Sequence, residues 1–229
     1  MGILKIKFVV ATRLSKEEFF TQSATGRSLA IYRSPSVELC LFDLNKKGLP
    51  CIYNQAIEAA KSDPAILVFV HDDVHLCDFF WAERIEYALS HFQIIGVVGN
   101  KRRVPMQPSW YYLDTNGTED ARENFSGKVG HGTAFPPLSL NDYGPTCEEV
   151  KLLDGLLLIC HSSTLINNDL RFDERFDFHF YDLDFCRQAE LKGLKMGTWS
   201  ISVIHESRGN LGPQGWWKAY KKYFEKWGE

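Results

Sequence analysis

A ten-residue stretch at 65–74, AILVFVHDDV, most constrains how this chain can fold. Six apolar residues, rich in β-branched side chains, run without a polar break after an Asp-Pro turn pair. This pattern predicts a strand that is covered on both faces, as in a parallel sheet. The strand ends abruptly in His71, Asp72 and Asp73, which are costly to place beside a core unless something compensates their charge.

The acidic end of this strand indicates a metal site. Ligands of open α/β sheets bind just beyond the carboxyl ends of the strands. Two carboxylates with an imidazole suit Mg²⁺ or Mn²⁺, and the imidazole favours Mn²⁺. A metal ion here implies a phosphorylated ligand. The alternative is that Asp72 or Asp73 only caps the following turn, but the buried strand before them favours the metal site.

Strands and helices alternate through the first hundred residues, which predicts an α/β fold with a parallel sheet. Helices are expected over 16–22, 53–61 and 79–91, the first opened by a capping box of Ser15 and Glu18. Right-handed crossovers would bring the strand ends to one rim of the sheet. Strands at 4–10, 37–42, 65–70 and 94–98 would gather Thr12, Arg13, Asp43 and 71–73 there.

The second half of the chain is less regular. Residues 101–149 are rich in Pro, Gly, Asn and aromatics, and a loop-rich stretch of this length is usually functional. An apolar strand at 150–160 is interrupted by Asp154-Gly155, a helix is predicted over 182–192, and a strand at 201–204 leads into His205. We expect one domain over 1–229, with a nucleotide-binding half to about residue 100 and an acceptor half after it.

Composition excludes some classes of function. A net charge of −3 gives no general attraction to nucleic acid or an anionic membrane. Six cysteines without a C-x-x-C pair indicate free thiols in a reducing compartment, and no stretch approaches the roughly 18 apolar residues of a spanning helix. A cytoplasmic protein is therefore expected. GxGxxG, P-loop and HExxH patterns are absent, so dinucleotide binding, NTP hydrolysis and a zinc-protease site are not supported.

Several motifs together resemble those of a known family. A strand ending in HDD is followed by Asp154-Gly155, by FDERFDFHFYDLDFCRQAELKG at 172–193, and by VIHESRG at 203–209. In this order they resemble family 2-type glycosyltransferases with the GT-A fold. Tyr53-Asn54, the helix around it and FVHDDV are especially similar to the bacterial "glycosyltransferase-like" branch. The resemblance extends from the first strand to about Gly209.

The resemblance implies both a fold and a reaction. The fold would be α/β, with a Rossmann-like, mostly parallel central sheet flanked by helices. The activity would be metal-dependent transfer of a sugar from a nucleotide-diphosphate donor, with a UDP-sugar favoured, to a hydroxyl acceptor with inversion. The acceptor would be a glycan or a lipid-linked molecule in surface polysaccharide synthesis, and the cofactor Mn²⁺ or Mg²⁺.

The resemblance also implies a role for each matching residue. HDD stands where the family has Asp-x-Asp, so Asp73 would hold the metal, with His71 in place of the first acid. His205 matches a histidine near the metal or the diphosphate, and Asp72 would lie beside ribose or phosphate. YDLD matches the family's Glu-Asp motif with Tyr181 in place of Glu, and Asp182 would be the general base.

The remaining positions would contact the donor and the acceptor. The nucleotide-binding residues implied are Ala11, Thr12, Arg13, Asp43 and Asn54. Those lining the sugar and acceptor site would be Asp154 and Gly155. Trp110, Tyr111, Phe178 and Phe180 are candidates for stacking on sugar rings, or alternatively for the core.

Three alternatives remain open from the sequence. The C-terminal segment GWWKAYKKYFEKWGE predicts a helix with one aromatic face, which either lies on a membrane or caps the domain. An Asp cluster of this kind also fits a metal-dependent phosphoester hydrolase. His71 and Tyr181, which depart from the family pattern, are compatible with a non-catalytic nucleotide-sugar or glycan-binding protein.

Overall fold

Strands and helices alternate over most of the chain in the computed structural model, which describes residues 5–32, 36–207 and 214–228. The strands are β1 (Ile6–Ala11), β2 (Val37–Phe42), β3 (Ile66–Val70), β4 (Val74–Leu76), β5 (Ile94–Gly96), β6 (Val98–Asn100), β7 (Phe125–His131), β8 (Ser139–Gly144), β9 (Glu149–Val150), β10 (Leu152–Leu153), β11 (Leu157–His161), β12 (Met196–Thr198) and β13 (Val203–His205). The helices are α1 (Lys16–Gln22), α2 (Ala24–Ile31), α3 (Leu49–Ala59), α4 (Trp81–Leu89), α5 (Ser162–Asn167), α6 (Tyr181–Leu191) and α7 (Gln214–Trp227).

Two sheets organise these strands. The larger sheet has the order β2-β1-β3-β11-β5-β12-β9, and the smaller has β10-β6-β7-β13-β4 with β8 paired to β7. β2, β1 and β3 are parallel, whereas β11 runs antiparallel to both of its neighbours. All five residues of β3 are buried, as a strand covered on both faces requires. The carboxyl ends of β1, β2 and β3 therefore lie at one edge of the larger sheet.

Several predicted elements are confirmed within the described ranges. α1 begins after Ser15, and both hydrogen bonds of its capping box with Glu18 are present. β2 and α6 lie where the apolar patterns predict them, to within a residue. The apolar stretch before Asp154 and after Gly155 forms two strands, β10 and β11, that belong to different sheets. Leu4, Arg208 and Gly209, which the predicted strand and motif included, lie outside the described residues.

Other elements differ from the sequence predictions. α3 begins at Leu49 rather than at residue 53, because Pro50 fits the first turn of a helix, where its missing N–H needs no partner. α2 was not predicted, since its ATGRSLAI sequence has little apolar periodicity. The stretch 101–149 is not a continuous loop: β7 and β8 form an antiparallel pair within it.

The aromatic face of α7 packs on the domain. Trp216, Ala219 and Tyr223 are buried, and the ring of buried Phe180 lies among those of Trp216, Tyr220 and Tyr223 at centroid distances of 5.2–5.8 Å. These contacts match the cap-helix interpretation of the C-terminal segment. No helix in the described ranges combines the length and the apolar character needed to cross a membrane.

A buried ion pair fixes the far end of α7. Lys226 Nζ lies 2.6 Å from Asp184 Oδ1, whose side chain is fully buried, and 2.7 Å from Asp173 Oδ2. Removing one partner of such a pair leaves a buried charge without compensation. Lys226→Met, which keeps the aliphatic chain, is therefore expected to lower the free energy of unfolding by about 3 kcal/mol. Urea denaturation measures this change.

The matched control is Lys221→Met on the exposed side of the same helix. Surface substitutions of this kind usually change stability by no more than about 0.5 kcal/mol. Equal urea midpoints for the two variants would show that α7 docks without help from the ion pair.

Candidate active site

The HDD turn after β3 is held by α2. The Thr25 hydroxyl lies 2.6 Å from the carbonyl oxygen of His71, and the Thr25 N–H donates to the carbonyl oxygen of Asp72 at 3.1 Å. The His71 N–H donates to the carbonyl oxygen of Leu156 in the neighbouring antiparallel segment, at 3.2 Å. The backbone of the turn is thus satisfied from both sides, which leaves its side chains free to project from the sheet edge.

β13 brings a second histidine to this turn. β13 pairs antiparallel with β4, so that His205 lies opposite Val74, and the Glu206 N–H donates to the carbonyl oxygen of Asp73 at 3.0 Å. Arg27 and His75 both contact Glu206 Oε1, at 3.0 and 3.1 Å. These contacts fix the end of β13 beside the HDD turn.

His71, Asp73 and His205 form a cluster of candidate metal ligands. One ligand atom of each lies within 4.8 Å of the others, and His205 Nε2 lies 3.2 Å from Asp73 Oδ1. Asp73 Oδ1 is buried yet makes no hydrogen bond of acceptable geometry. A buried carboxylate oxygen that faces an imidazole without a proper hydrogen bond fits a shared cation. The N₂O donor set suits Mn²⁺ better than Mg²⁺, which prefers oxygen ligands.

The electrostatics of the cluster are compatible with a cation. Burial acts to raise the pKa of Asp73, but the contact with His205 and the nearby imidazole charge outweigh it, and the pKa lies at about 2. Burial lowers the pKa of His71, so its ring is neutral near pH 7. A carboxylate and a neutral imidazole are the forms that bind metals. Burial acts to lower the pKa of His205, but the contact with Asp73 outweighs it and raises this pKa, so a bound cation would have to displace a proton from His205.

The predicted nucleotide residues lie along the ends of the three parallel strands. The Thr12 hydroxyl donates to Asp72 Oδ2 at 2.6 Å, which ties the end of β1 to the HDD turn. Ala11 is buried beside it, whereas Arg13 and Asp43 are exposed at the ends of β1 and β2. Asp72 therefore points toward β1, and Asp73 toward His205.

Asn54 lies in a different environment from the other predicted nucleotide residues. Its side-chain amide donates to the Phe172 carbonyl at 2.8 Å and to Glu174 Oε1 at 2.9 Å, and its oxygen accepts from the Phe172 N–H at 3.0 Å. These bonds tie α3 to residues 172–174. They use both hydrogens of the amide, and nucleotide binding by Asn54 stays a prediction.

Asp182 lies in the first turn of α6, next to the Asp154-Gly155 turn. Its Oδ2 accepts from the Gly155 N–H at 3.1 Å, and its Oδ1 from the Leu183 N–H at 2.9 Å. Burial, and secondarily the charge of Asp154, raises the pKa of Asp182 to about 7. The N-cap position of the helix belongs to Phe180, so Asp182 lies within the first turn and not before the helix.

Phe180 adopts an unusual backbone conformation. Its φ is +66°, a left-handed conformation that is strained for a bulky residue. Such strain persists only where surrounding contacts enforce it, and here α7 encloses the Phe180 ring. The strained turn directs both following side chains, Tyr181 and Asp182, toward the Asp154-Gly155 turn. The packing of α7 and the position of Asp182 are thus linked.

Asp154 is anchored by Trp110. Trp110 Nε1 donates to Asp154 Oδ2 at 2.6 Å, and the Leu156 N–H donates to Oδ1 at 2.8 Å. Trp110 is 9% exposed, and its ring packs edge-on against that of Tyr143 at a centroid distance of 5.0 Å. Trp110 therefore belongs to the core and reaches the site only through its indole N–H.

Of the four candidate stacking aromatics, Phe178 alone is largely exposed, at 52%. Its ring stacks on that of His71 with a centroid distance of 5.4 Å. Sequence reasoning grouped Phe178 with buried Phe180 and did not detect this contact, nor the Thr25 contacts with the HDD turn. No motif marks either of them, since both depend on how distant segments pack.

Comparison with known proteins decides the family. The model of a family described as "Glycosyltransferase like family" matches residues 9–226, nearly the whole chain. The chain belongs to this glycosyltransferase-like family. The motifs that carry the resemblance in the sequence lie within the matched region, and the family resemblance predicted from them is confirmed. A search of curated proteins gives no match.

One solved structure supports the GT-A fold of this glycosyltransferase-like protein. The crystal structure of S. aureus TarS 1-349 matches with a TM-score of 0.51 and 15% sequence identity, covering 89% of this chain and 60% of TarS 1-349. A crystal structure of S. aureus TarS matches with a TM-score of 0.47 and 15% identity, covering 90% of this chain and 36% of TarS. The chain thus spans less than two thirds of the length of these structures.

Proposed function

We propose that this protein transfers a sugar from a nucleotide-diphosphate donor to a hydroxyl acceptor. One juxtaposition carries the proposal. Gly155 donates to the Asp182 carboxyl, whose pKa is about 7, and the Tyr181 hydroxyl links the same glycine to His71 of the His71–Asp73–His205 cluster. Perturbed carboxyl groups next to a candidate metal site are typical of active sites. The family assignment identifies the reaction class.

In this scheme Asp182 is the general base. It takes the proton of the acceptor hydroxyl, whose oxygen then attacks the anomeric carbon as the bond to the donor diphosphate breaks. A carboxyl with a pKa near the working pH is well suited to this task. A single displacement of this kind inverts the configuration at the anomeric carbon.

The other residues bind and orient the donor. His71, Asp73 and His205 would hold Mn²⁺ or Mg²⁺, which when bound stabilises the negative charge that develops on the departing diphosphate. Thr12, Arg13, Asp43 and Asp72 line the strand ends where the nucleotide would lie, with Ala11 beneath them. Asp154, fixed by Trp110, would contact the sugar or the acceptor, with Gly155 beside it.

The wider context is also part of the proposal. The halves before and after about residue 100 would bind donor and acceptor respectively, and the acceptor would be a glycan or lipid-linked molecule of surface polysaccharide synthesis. Six free thiols support a cytoplasmic location. α7 still exposes Trp217 and Lys218, so peripheral membrane contact is tested by liposome sedimentation of the wild type against Trp217→Ser.

The donor is tested by thermal shift with UDP, GDP, CDP and dTDP, each with and without Mn²⁺. We expect UDP to stabilise the protein only when Mn²⁺ is present. A ligand at 100 times its dissociation constant contributes about 2.7 kcal/mol. Turnover of the matching UDP-sugar is then measured with and without an acceptor.

The outcomes separate the candidate activities. Release of free sugar or phosphate at full rate without acceptor would indicate the hydrolase instead. Metal-dependent nucleotide binding without any turnover would indicate a binding protein. No shift with any nucleotide would contradict the donor site itself.

A further inference from the structure

The hydroxyl of Tyr181 lies between the candidate metal cluster and the Asp154-Gly155 turn. Tyr181 is 2% exposed, and its Oη lies 2.8 Å from the Gly155 carbonyl oxygen and 2.8 Å from His71 Nε2. Tyr181 stands where the family resemblance expects a glutamate, and nothing in the proposed reaction uses its hydroxyl. A fully buried hydroxyl with two such partners has a definite proton arrangement.

Only one arrangement satisfies both contacts. A backbone carbonyl has no proton, so the single Tyr181 proton must be donated to Gly155. The Tyr181 oxygen then accepts, and His71 must donate to it from Nε2. A neutral imidazole that carries its proton on Nε2 has its lone pair on Nδ1. The atom of His71 that remains able to hold a cation is therefore Nδ1.

We propose that Tyr181 is a positioning residue that fixes the tautomer and ring orientation of His71, so that Nδ1 faces the Asp73–His205 side of the cluster. Metal-ligating histidines commonly donate their second ring N–H to a fixed acceptor, and loss of that acceptor costs about 10–100-fold in metal affinity. A tyrosine held by Gly155 serves here as the acceptor. This inference rests on the proposed metal centre.

Gly155 makes the arrangement possible. A Cβ at this position would overlap the Tyr181 hydroxyl and approach Asp182 Cβ. Its carbonyl orients Tyr181 while its N–H donates to Asp182 Oδ2 at 3.1 Å. The two peptide units that flank Gly155 thus contact both Tyr181, which bonds to His71, and Asp182.

The first test uses the wild-type protein without metal. Long-range ¹H–¹⁵N NMR distinguishes the two neutral imidazole tautomers, and His71→Gln identifies the His71 signals. We expect the Nε2–H tautomer in the wild type and a mixture in Tyr181→Phe. An Nδ1–H tautomer in the wild type would overturn the inference without reference to any variant.

The second test measures Mn²⁺ affinity by electron paramagnetic resonance. Tyr181→Phe removes only the hydroxyl and is expected to weaken Mn²⁺ binding about 10–100-fold. The control is Tyr223→Phe, which removes an equally buried hydroxyl from α7. It should keep the wild-type affinity and the His71 tautomer.

The two proposals fail in different ways. Wild-type protein that binds no Mn²⁺ would refute the metal centre of the proposed function. If Tyr181→Phe bound Mn²⁺ as tightly as the wild type, the role of Tyr181 would be refuted and the proposed metal centre would not. Equal losses in Tyr181→Phe and Tyr223→Phe would mean that repacking, and not the hydrogen bond, affects the cluster.

Discussion

Asp182→Asn is expected to lower kcat by about 10²–10⁴-fold, the usual contribution of a general base. Asparagine has nearly the same shape as aspartate and can still accept one of the two backbone hydrogen bonds from Gly155 and Leu183. It cannot take a proton from an acceptor hydroxyl. Donor affinity should stay unchanged, because Asp182 is not among the residues proposed to bind the nucleotide or the metal.

The pH dependence gives a second, independent signature of the same residue. With the pKa of Asp182 at about 7, kcat/KM in the wild type should rise with pH and level off above about 7, as the base loses its proton. Asp154→Asn removes the negative charge that helps to raise this pKa. The acidic limb should therefore move to lower pH in that variant, whatever its maximal rate. An unmoved limb would assign the titration to another group.

The contribution of Asp182 to stability should fall as pH rises, whereas its contribution to kcat/KM rises. The pKa of Asp182 is raised above its value in the unfolded chain, so between about pH 4 and pH 7 the unfolded state binds fewer protons than the folded state. The wild type accordingly loses stability relative to Asp182→Asn as pH rises through this window, and the difference is constant above it. Melting curves of both proteins at several pH values measure this difference. Full turnover by Asp182→Asn would show that Asp182 is not the general base.

The sequence predicts the strand ends well because each is marked locally. The apolar runs of β1, β2 and β3 end in polar residues, and parallel pairing places those ends at one edge. Thr12 and Asp72 meet there through a 2.6 Å hydrogen bond, as two residues on one rim can. This part of the site follows from periodicity and the crossover rule alone.

The other half of the site depends on a pairing that no local pattern marks. His205 meets Asp73 because β13, three residues long, pairs with the equally short β4 in the smaller sheet. Strands of this length have too few residues to show periodicity. The family motif pointed to His205, whereas the register that brings its imidazole 3.2 Å from Asp73 comes from tertiary packing.

Side-chain direction explains the remaining differences. Trp110 and Phe178 both looked like sugar-stacking aromatics, yet one is buried against Tyr143 and the other is exposed over His71. Asn54 lies in a family-like motif, but its amide is used by residues 172–174. Residue type alone does not distinguish a side chain that binds a ligand from one that packs in the core, because the same aromatic rings and polar atoms serve both roles.

Asp73→Asn is expected to weaken Mn²⁺ binding by more than about 100-fold. Loss of a residue that only orients a metal ligand costs about 10–100-fold, so the expected effect of removing a ligand is larger. The substitution removes the one negative charge of the cluster and leaves two imidazoles, which bind a hard cation poorly without a carboxylate. UDP should then fail to stabilise the protein even when Mn²⁺ is present. Thermal shift and electron paramagnetic resonance measure these two quantities separately.

Asp72→Asn is the matched comparison, since the two aspartates are neighbours with different surroundings. Asp72 accepts a hydrogen bond from Thr12 on the β1 side, whereas Asp73 faces His205. Asp72→Asn should therefore keep Mn²⁺ affinity and weaken the nucleotide binding that is seen with Mn²⁺. If Asp72→Asn lost Mn²⁺ affinity and Asp73→Asn kept it, the roles of the two aspartates would be exchanged. Equal loss of Mn²⁺ affinity in both variants would mean that both carboxylates of the HDD turn bind the cation. The comparison therefore tests the directions in which the two carboxylates point, which Thr12 fixes for Asp72 and β13 fixes for Asp73.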